Sequence, residues 1–306
     1  MEHTEASATT QELSHPSIPA SAQFVPGRVG ILGLGLMGGS FAKALHAGGT
    51  EVYAWNRTRS TLDLALIECV DGVLDDESVS SCELIVLAGY PQVSIEWLRN
   101  MAPHISPGAI VIDVVGVKRR ICEECFAIAE GMPWTFVGCH PMAGTQYSGF
   151  AHTRANMFHR APMVVVPPQD MDDFVRLDVL ERLKHLLEPC GFGMFTLSTA
   201  EHHDEVIAFT SQLAHVVSNA YVKSPSARVH KGFSAGSYKD LTRVARLNAR
   251  MWTELFLEDG DYLSEEIGIL IHHLQEYKDA IDNRDAQWLE ELLAEGDRRK
   301  KEVEGR

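Results

Sequence analysis

The chain has 306 residues, 45% of them hydrophobic, which is enough material for two domains with real cores. A formal net charge of -15 argues against a nucleic-acid surface, and it means that an anionic ligand must be held by local arginines. No apolar run reaches membrane-spanning length, so no membrane partner is expected.

Residues 1–27 are rich in Ser, Thr, Ala, Gln and Pro without hydrophobic periodicity and read as a disordered leader. They lack the basic start and apolar stretch of a signal peptide. The six cysteines are irregularly spaced, which suggests reduced thiols rather than a disulfide framework and predicts a cytoplasmic location.

Arg28 to Leu32 reads as a short buried strand, followed by the glycine loop Gly33-Leu34-Gly35-Leu36-Met37-Gly38 and a helical run from Phe41. In this context Gly33 makes the tight turn, Gly35 admits a pyrophosphate to the backbone, and Gly38 lets helix and strand pack closely. The anion then sits on the free N–H groups of a helix start. The loop predicts a dinucleotide site.

A second strand, Glu51 to Trp55, leads into Asn56-Arg57-Thr58-Arg59. No carboxylate stands where NAD-preferring sites hold the ribose hydroxyls, and Arg57 and Arg59 suit a 2'-phosphate, so NADP is the expected cofactor and NAD the alternative.

Further strands are expected at Glu83 to Ala88, Ala109 to Val114, Trp134 to Gly138, Met163 to Val166 and Gly193 to Thr196. Helices fall between them at Val93 to Ala102, Lys118 to Glu130 and Phe174 to Leu187. The alternation predicts a doubly wound, Rossmann-type α/β domain over residues 28–198. Cys122 and Cys125 form a C-x-x-C pair without a second pair nearby. The His202-His203 and His272-His273 doublets also lack further ligands, so no metal site is expected.

His140 stands in the Gly/Pro-rich run 138–145, directly after a strand. Doubly wound sheets bind ligands beyond the carboxyl ends of their strands, which makes this imidazole the candidate acid/base group.

From about residue 199 to 306 the pattern is helical only, which predicts a second, all-helical domain for substrate binding and dimerisation. The helix from His202 to Tyr221 sets Gln212, His215 and Asn219 on a narrow arc beside an apolar face of Phe209, Leu213, Val216 and Ala220. Farther on, Leu263, Ile267, Leu270, Ile271, Leu274, Tyr277 and Ile281 form one apolar stripe that needs a partner surface, and a homodimer through these helices is expected.

Three blocks carry a family likeness: the glycine loop; Gly138 to Thr145; and Gly236-Ser237-Tyr238-Lys239-Asp240-Leu241-Thr242-Arg243-Val244-Ala245, with Trp252 after it. His203-Asp204 and the 211–215 segment add to it. The chain resembles the prephenate and arogenate dehydrogenase family of tyrosine biosynthesis from about Arg28 to the late helices.

The resemblance implies that His140 takes the proton of a ring hydroxyl and that Arg243 binds a substrate carboxylate. By the same likeness His215 orients the substrate side chain, Thr145 and Gln146 shape the pocket with Gln212, and Asp240 and Trp252 support Arg243 and the cleft. The reaction so implied is oxidative decarboxylation of prephenate to 4-hydroxyphenylpyruvate, with arogenate oxidised to tyrosine as the alternative. A histidine can accept the hydroxyl proton near neutral pH, and a guanidinium suits a bidentate grip on a carboxylate.

Two departures from the family pattern stand out. Gly116 occupies the place of a serine hydroxyl that contacts the catalytic imidazole in many relatives, and Gln212-Leu213-Ala214 replaces a common His-Leu-Pro. The chain also ends after its helices, so feedback by tyrosine is expected to act at the active site as competition. A β-hydroxyacid dehydrogenase would carry a catalytic lysine on the first interdomain helix, where this chain has Lys223 only near the end. A noncatalytic NADP-sensing module would need neither His140 nor Arg243.

Overall fold

Short β-branched and apolar runs become the strands of one eight-stranded sheet in the computed structural model, which describes residues 23–145 and 147–305. The described residues fall into two units that divide after Ala200.

In the first unit the strands are β1 (Val25–Leu32), β2 (Val52–Trp55), β3 (Gly72–Val73), β4 (Cys82–Leu87), β5 (Ile110–Asp113), β6 (Thr135–Pro141), β7 (Pro162–Val166) and β8 (Met194–Leu197). Their order is β3-β2-β1-β4-β5-β6-β7-β8. The connecting helices are α1 (Leu36–Ala47), α2 (Arg59–Glu68), α3 (Pro91–Met101), α4 (Arg119–Ala129) and α5 (Asp173–Leu186). β4 is buried along its whole length, as an inner parallel strand covered on both faces must be. The chain reverses its direction of travel across the sheet between β1 and β4, so the glycine turn after β1 lies at the topological switch point, where such sheets bind ligands.

β1 to β6 are all parallel, and β7 then pairs antiparallel with β6 and parallel with β8. That reversal explains a difference from the sequence reading. His140, expected on a turn beyond a strand ending at Gly138, lies inside β6 opposite Val164, because the antiparallel partner extends the strand through Pro141. The connection from β6 to β7 folds back on α1: a Cβ added at Gly39 would meet Phe150 and Thr153, and Phe158 stacks on Phe41 with centroids 4.3 Å apart.

The expected leader is shorter than residues 1–27. Residues 1–22 lie outside the described residues, but Val25 already pairs with Cys82 and the Gly27 N–H donates to Glu83 at 2.8 Å. Glu83 is buried and also holds Arg182 of α5 at 2.7 Å, so the start of β1 is tied to a buried ion pair.

The second unit is helical: α6 (Ala200–Ile207), a π-turn at Ala208–Leu213, α7 (Ala214–Tyr221), α8 (Gly236–Thr242), α9 (Ala249–Glu258), α10 (Gly260–Asp282) and α11 (Ala286–Glu304). The helix expected to run unbroken from His202 to Tyr221 is therefore interrupted. Its apolar face departs from uniform periodicity: Phe209 is 59% exposed, whereas Gln212 is 2% exposed. A π-turn carries an i→i+5 bond and rotates one segment of helix relative to the next, which a constant 100° per residue misses.

Candidate active site

The glycine loop is built for close approach. Gly33 has φ of +88°, and a Cβ there would lie 2.9 Å from the Ala88 carbonyl oxygen. A Cβ on Gly38 would come within 1.9 Å of the Gly33 carbonyl, so only glycine lets α1 start this close to the turn. Gly35 faces open space and begins α1 without a side-chain cap or an acidic residue in the first turn. Free N–H groups, a positive helix end and room beside Gly35 fit a pyrophosphate. The neighbouring Leu36 and Met37 are half-buried.

Leu34 and Asn56, both expected as cofactor ligands, are committed to the loop itself. The Leu34 side chain is buried in the core and its N–H donates to Asn56 Oδ1 at 3.0 Å, while Asn56 Nδ2 donates to the Thr58 carbonyl at 3.1 Å. Of the two arginines beyond β2, Arg59 makes an exposed ion pair with Asp63 at 2.8 Å. The Arg57 side chain is exposed and has no partner among the described residues.

His140 is half-buried at the carboxyl edge of the sheet, three strands from the glycine turn, or about 14 Å at ordinary strand spacing. Its neighbour in the chain is pinned from below. The Cys139 N–H donates to Asp113 Oδ1 at 3.1 Å, and Asp113 Oδ2 accepts from the Val115 N–H at 2.9 Å and from Lys118 Nζ. Asp113 and Lys118 are fully buried. A carboxylate thus joins the ends of β5 and β6 at the residue that precedes His140. Sequence reasoning passed over Lys118. A lysine between a buried strand and the helix that follows was the available signal. Thr145 is exposed and its Oγ1 accepts from the Tyr147 N–H at 3.3 Å. Gln146 lies outside the described residues.

In the helical unit, His215 Nδ1 bonds the Ser211 carbonyl at 2.8 Å. A carbonyl only accepts, so Nδ1 carries the proton and Nε2 is left for a ligand. The ring stacks on Trp252 with centroids 4.1 Å apart. Trp252, expected to support Arg243 and the cleft, packs on His215. Asp240 meets Arg243 only through the backbone, the Arg243 N–H donating to the Asp240 carbonyl at 3.4 Å. The Arg243 side chain is exposed and has no partner among the described residues. Gln212 is the unusual group of this unit: both amide atoms are buried and neither has a hydrogen-bond partner. Because both lack a partner among the described residues, the finding does not depend on which way the amide is turned.

Cys122 and Cys125 are both buried, and among the described residues no cluster of His, Cys, Asp or Glu could hold a metal. Nor is any helix long and apolar enough to cross a membrane.

Residues 41–194 match the family described as prephenate dehydrogenase, nucleotide-binding domain, and residues 199–295 match prephenate dehydrogenase, dimerization domain. The chain belongs to the prephenate dehydrogenase family. It is an NAD(P)-dependent dehydrogenase. A cyclohexadienyl dehydrogenase of Zymomonas mobilis is 29% identical over 279 residues, covering 87% of this chain and 92% of that protein. A prephenate dehydrogenase of Lactococcus lactis is 28% identical over 277 residues, covering 87% and 74%. Among solved structures, a prephenate dehydrogenase from A. aeolicus in complex with hydroxyphenyl propionate and NAD+ superposes with a TM-score of 0.78 at 26% identity, covering 92% of this chain and 99% of that one. Synechocystis arogenate dehydrogenase superposes with a TM-score of 0.72 at 29% identity, covering 89% and 99%.

Proposed function

We propose that this family member is a prephenate dehydrogenase that converts prephenate to 4-hydroxyphenylpyruvate and carbon dioxide, with NADP as its preferred cofactor. The observation that carries the reading is the setting of His140: a half-buried imidazole at the sheet's carboxyl edge, on the same edge as the glycine turn, with its strand end tied to Asp113.

Bound NADP supplies the acceptor for the hydride that leaves the ring carbinol carbon. His140 takes the hydroxyl proton as the carbonyl forms, and loss of the ring carboxylate as carbon dioxide then aromatises the ring. Arg243 binds a substrate carboxylate. Among the described residues no carboxylate holds its guanidinium, which supports that role. His215 presents Nε2 and Gln212 its amide to the substrate side chain, and Thr145 and Gln146 border the pocket. On the cofactor side, Gly35, Leu36, Met37 and Gly38 offer N–H groups to the pyrophosphate. Arg57 binds the 2'-phosphate with Arg59, whose exposed pair with Asp63 costs little to give up.

We further propose a homodimer through the C-terminal helices. Three residues of the α10 stripe remain uncovered: Ile271 is 60% exposed, Leu274 57% and Ile281 59%. A cytoplasmic location accords with six buried cysteines that form no disulfide among the described residues.

One observation favours arogenate as the second reading. The side chain of prephenate offers only acceptors, which Gln212 Nε2 serves, whereas the buried Oε1 asks for a donor such as the ammonium of arogenate. Initial rates for prephenate and arogenate, each with NAD and NADP, decide both choices. Growth of reduced-nicotinamide absorbance fastest with prephenate and NADP is expected; a higher kcat/KM with arogenate reverses the substrate assignment.

A further inference from the structure

Arg243 follows a helix that has little of its own to hold it. α8 has seven residues and buries none of them, far below the length at which a helix stands alone in water. The carbonyls of its last turn have no partner within the helix. The turn's own backbone satisfies the Asp240 and Thr242 carbonyls, from the Arg243 and Ala245 N–H groups, and two further carbonyls around Arg243 are taken by side chains of α7. Ser218 Oγ donates to the Leu241 carbonyl at 2.7 Å, and Asn219 Nδ2 donates to the Ala245 carbonyl at 3.1 Å. The two bonds fall two residues before and two residues after Arg243.

Ser218 is 1% exposed, so its hydroxyl is committed to this bond and shielded from water. The start of α8 has its own anchor, Tyr238 stacked on His230 with centroids 4.4 Å apart. The Arg243 side chain is exposed with no partner among the described residues, so only its backbone can fix where the guanidinium begins.

We propose that Ser218 and Asn219 are positioning residues for Arg243, holding the backbone on both sides of it so that the guanidinium meets the substrate carboxylate without first ordering the turn. This rests on the reading of Arg243 as the carboxylate ligand. Ser218→Ala and Asn219→Ala are therefore each made in the full-length enzyme and again on top of Arg243→Ala, with prephenate and NADP as substrates.

Each single change is expected to raise KM for prephenate about fivefold, the ordinary net worth of one hydrogen bond, with kcat and NADP affinity nearly unchanged. Ser218→Thr, which keeps the hydroxyl, should restore KM. In the Arg243→Ala background neither change should raise KM further, because the residue they position is gone. An undiminished rise in that background would overturn the proposal, as would an unmoved KM accompanied by a lower melting temperature. If Arg243→Ala alone leaves KM unchanged, the carboxylate reading fails first, and the clamp falls with it.

Discussion

At the scale of single residues, the proposed roles separate His140, assigned to chemistry, from the buried Asp113–Lys118 pair, assigned to support. His140→Asn should lower kcat by about a hundredfold or more, the usual worth of a positioned base, while NADP affinity measured by titration stays the same. An equal loss of both would make the imidazole structural. Lys118→Met leaves the buried Asp113 carboxylate without its cation, and removing one partner of a buried pair costs about 3–5 kcal/mol. Urea unfolding should show a loss of that size; a change below about 1 kcal/mol would mean that water or another group reaches Asp113. His140 and Arg243 could be proposed from the sequence because their surrounding motifs are distinctive. Lys118 and Ser218 could not, because a lone lysine or serine has many surface uses, and only burial with a named partner separates them from those.

At the scale of elements, the β1-turn-α1 unit follows closely from its glycines, since each has a separate steric cause. Gly38→Ala should weaken NADP binding at least tenfold, as the added methyl must displace either the start of α1 or the Gly33 carbonyl. Calorimetric titration of the variant checks this, and an unchanged affinity would show that the turn can yield. The π-turn was hidden from sequence. Nothing in Ala208-Phe209-Thr210-Ser211-Gln212-Leu213 marks an i→i+5 turn, and its consequence, a buried unpaired amide beside His215, is visible only in three dimensions. The antiparallel β7 was equally hidden, because a strand's own residues do not state the direction of its neighbour.

At the scale of the molecule, two global properties follow. The uncovered stripe of α10 predicts that Ile271→Glu with Leu274→Glu lowers the mass measured by light scattering from that of a dimer to that of one chain. A mass unaltered by the pair would mean that these side chains do not form the interface. The thiols form the second property. All six cysteines are buried, and burial pushes Cys69 up to about 11 and Cys82 and Cys190 up to about 12. The thiolate is the reactive form, so the native protein at pH 8 should react slowly with a thiol reagent, and all six should appear on denaturation. Rapid reaction of any of them in the native state would show local opening.

The sequence by itself determined the class of fold and the enzyme family, and it nominated the dinucleotide turn and the two residues to which the chemistry is assigned. Those features are local: periodicity, steric demand at a glycine, and motifs read within a few positions. Tertiary structure decided what surrounds them: the carboxylate that holds the backbone before His140, the paired hydrogen bonds beside Arg243, the buried amide of Gln212 and the direction of β7. Each of these depends on groups brought together across 22 to 28 positions of chain, or on a helix irregularity that only packing selects. Such interactions arise when the backbone closes distances that linear spacing does not encode.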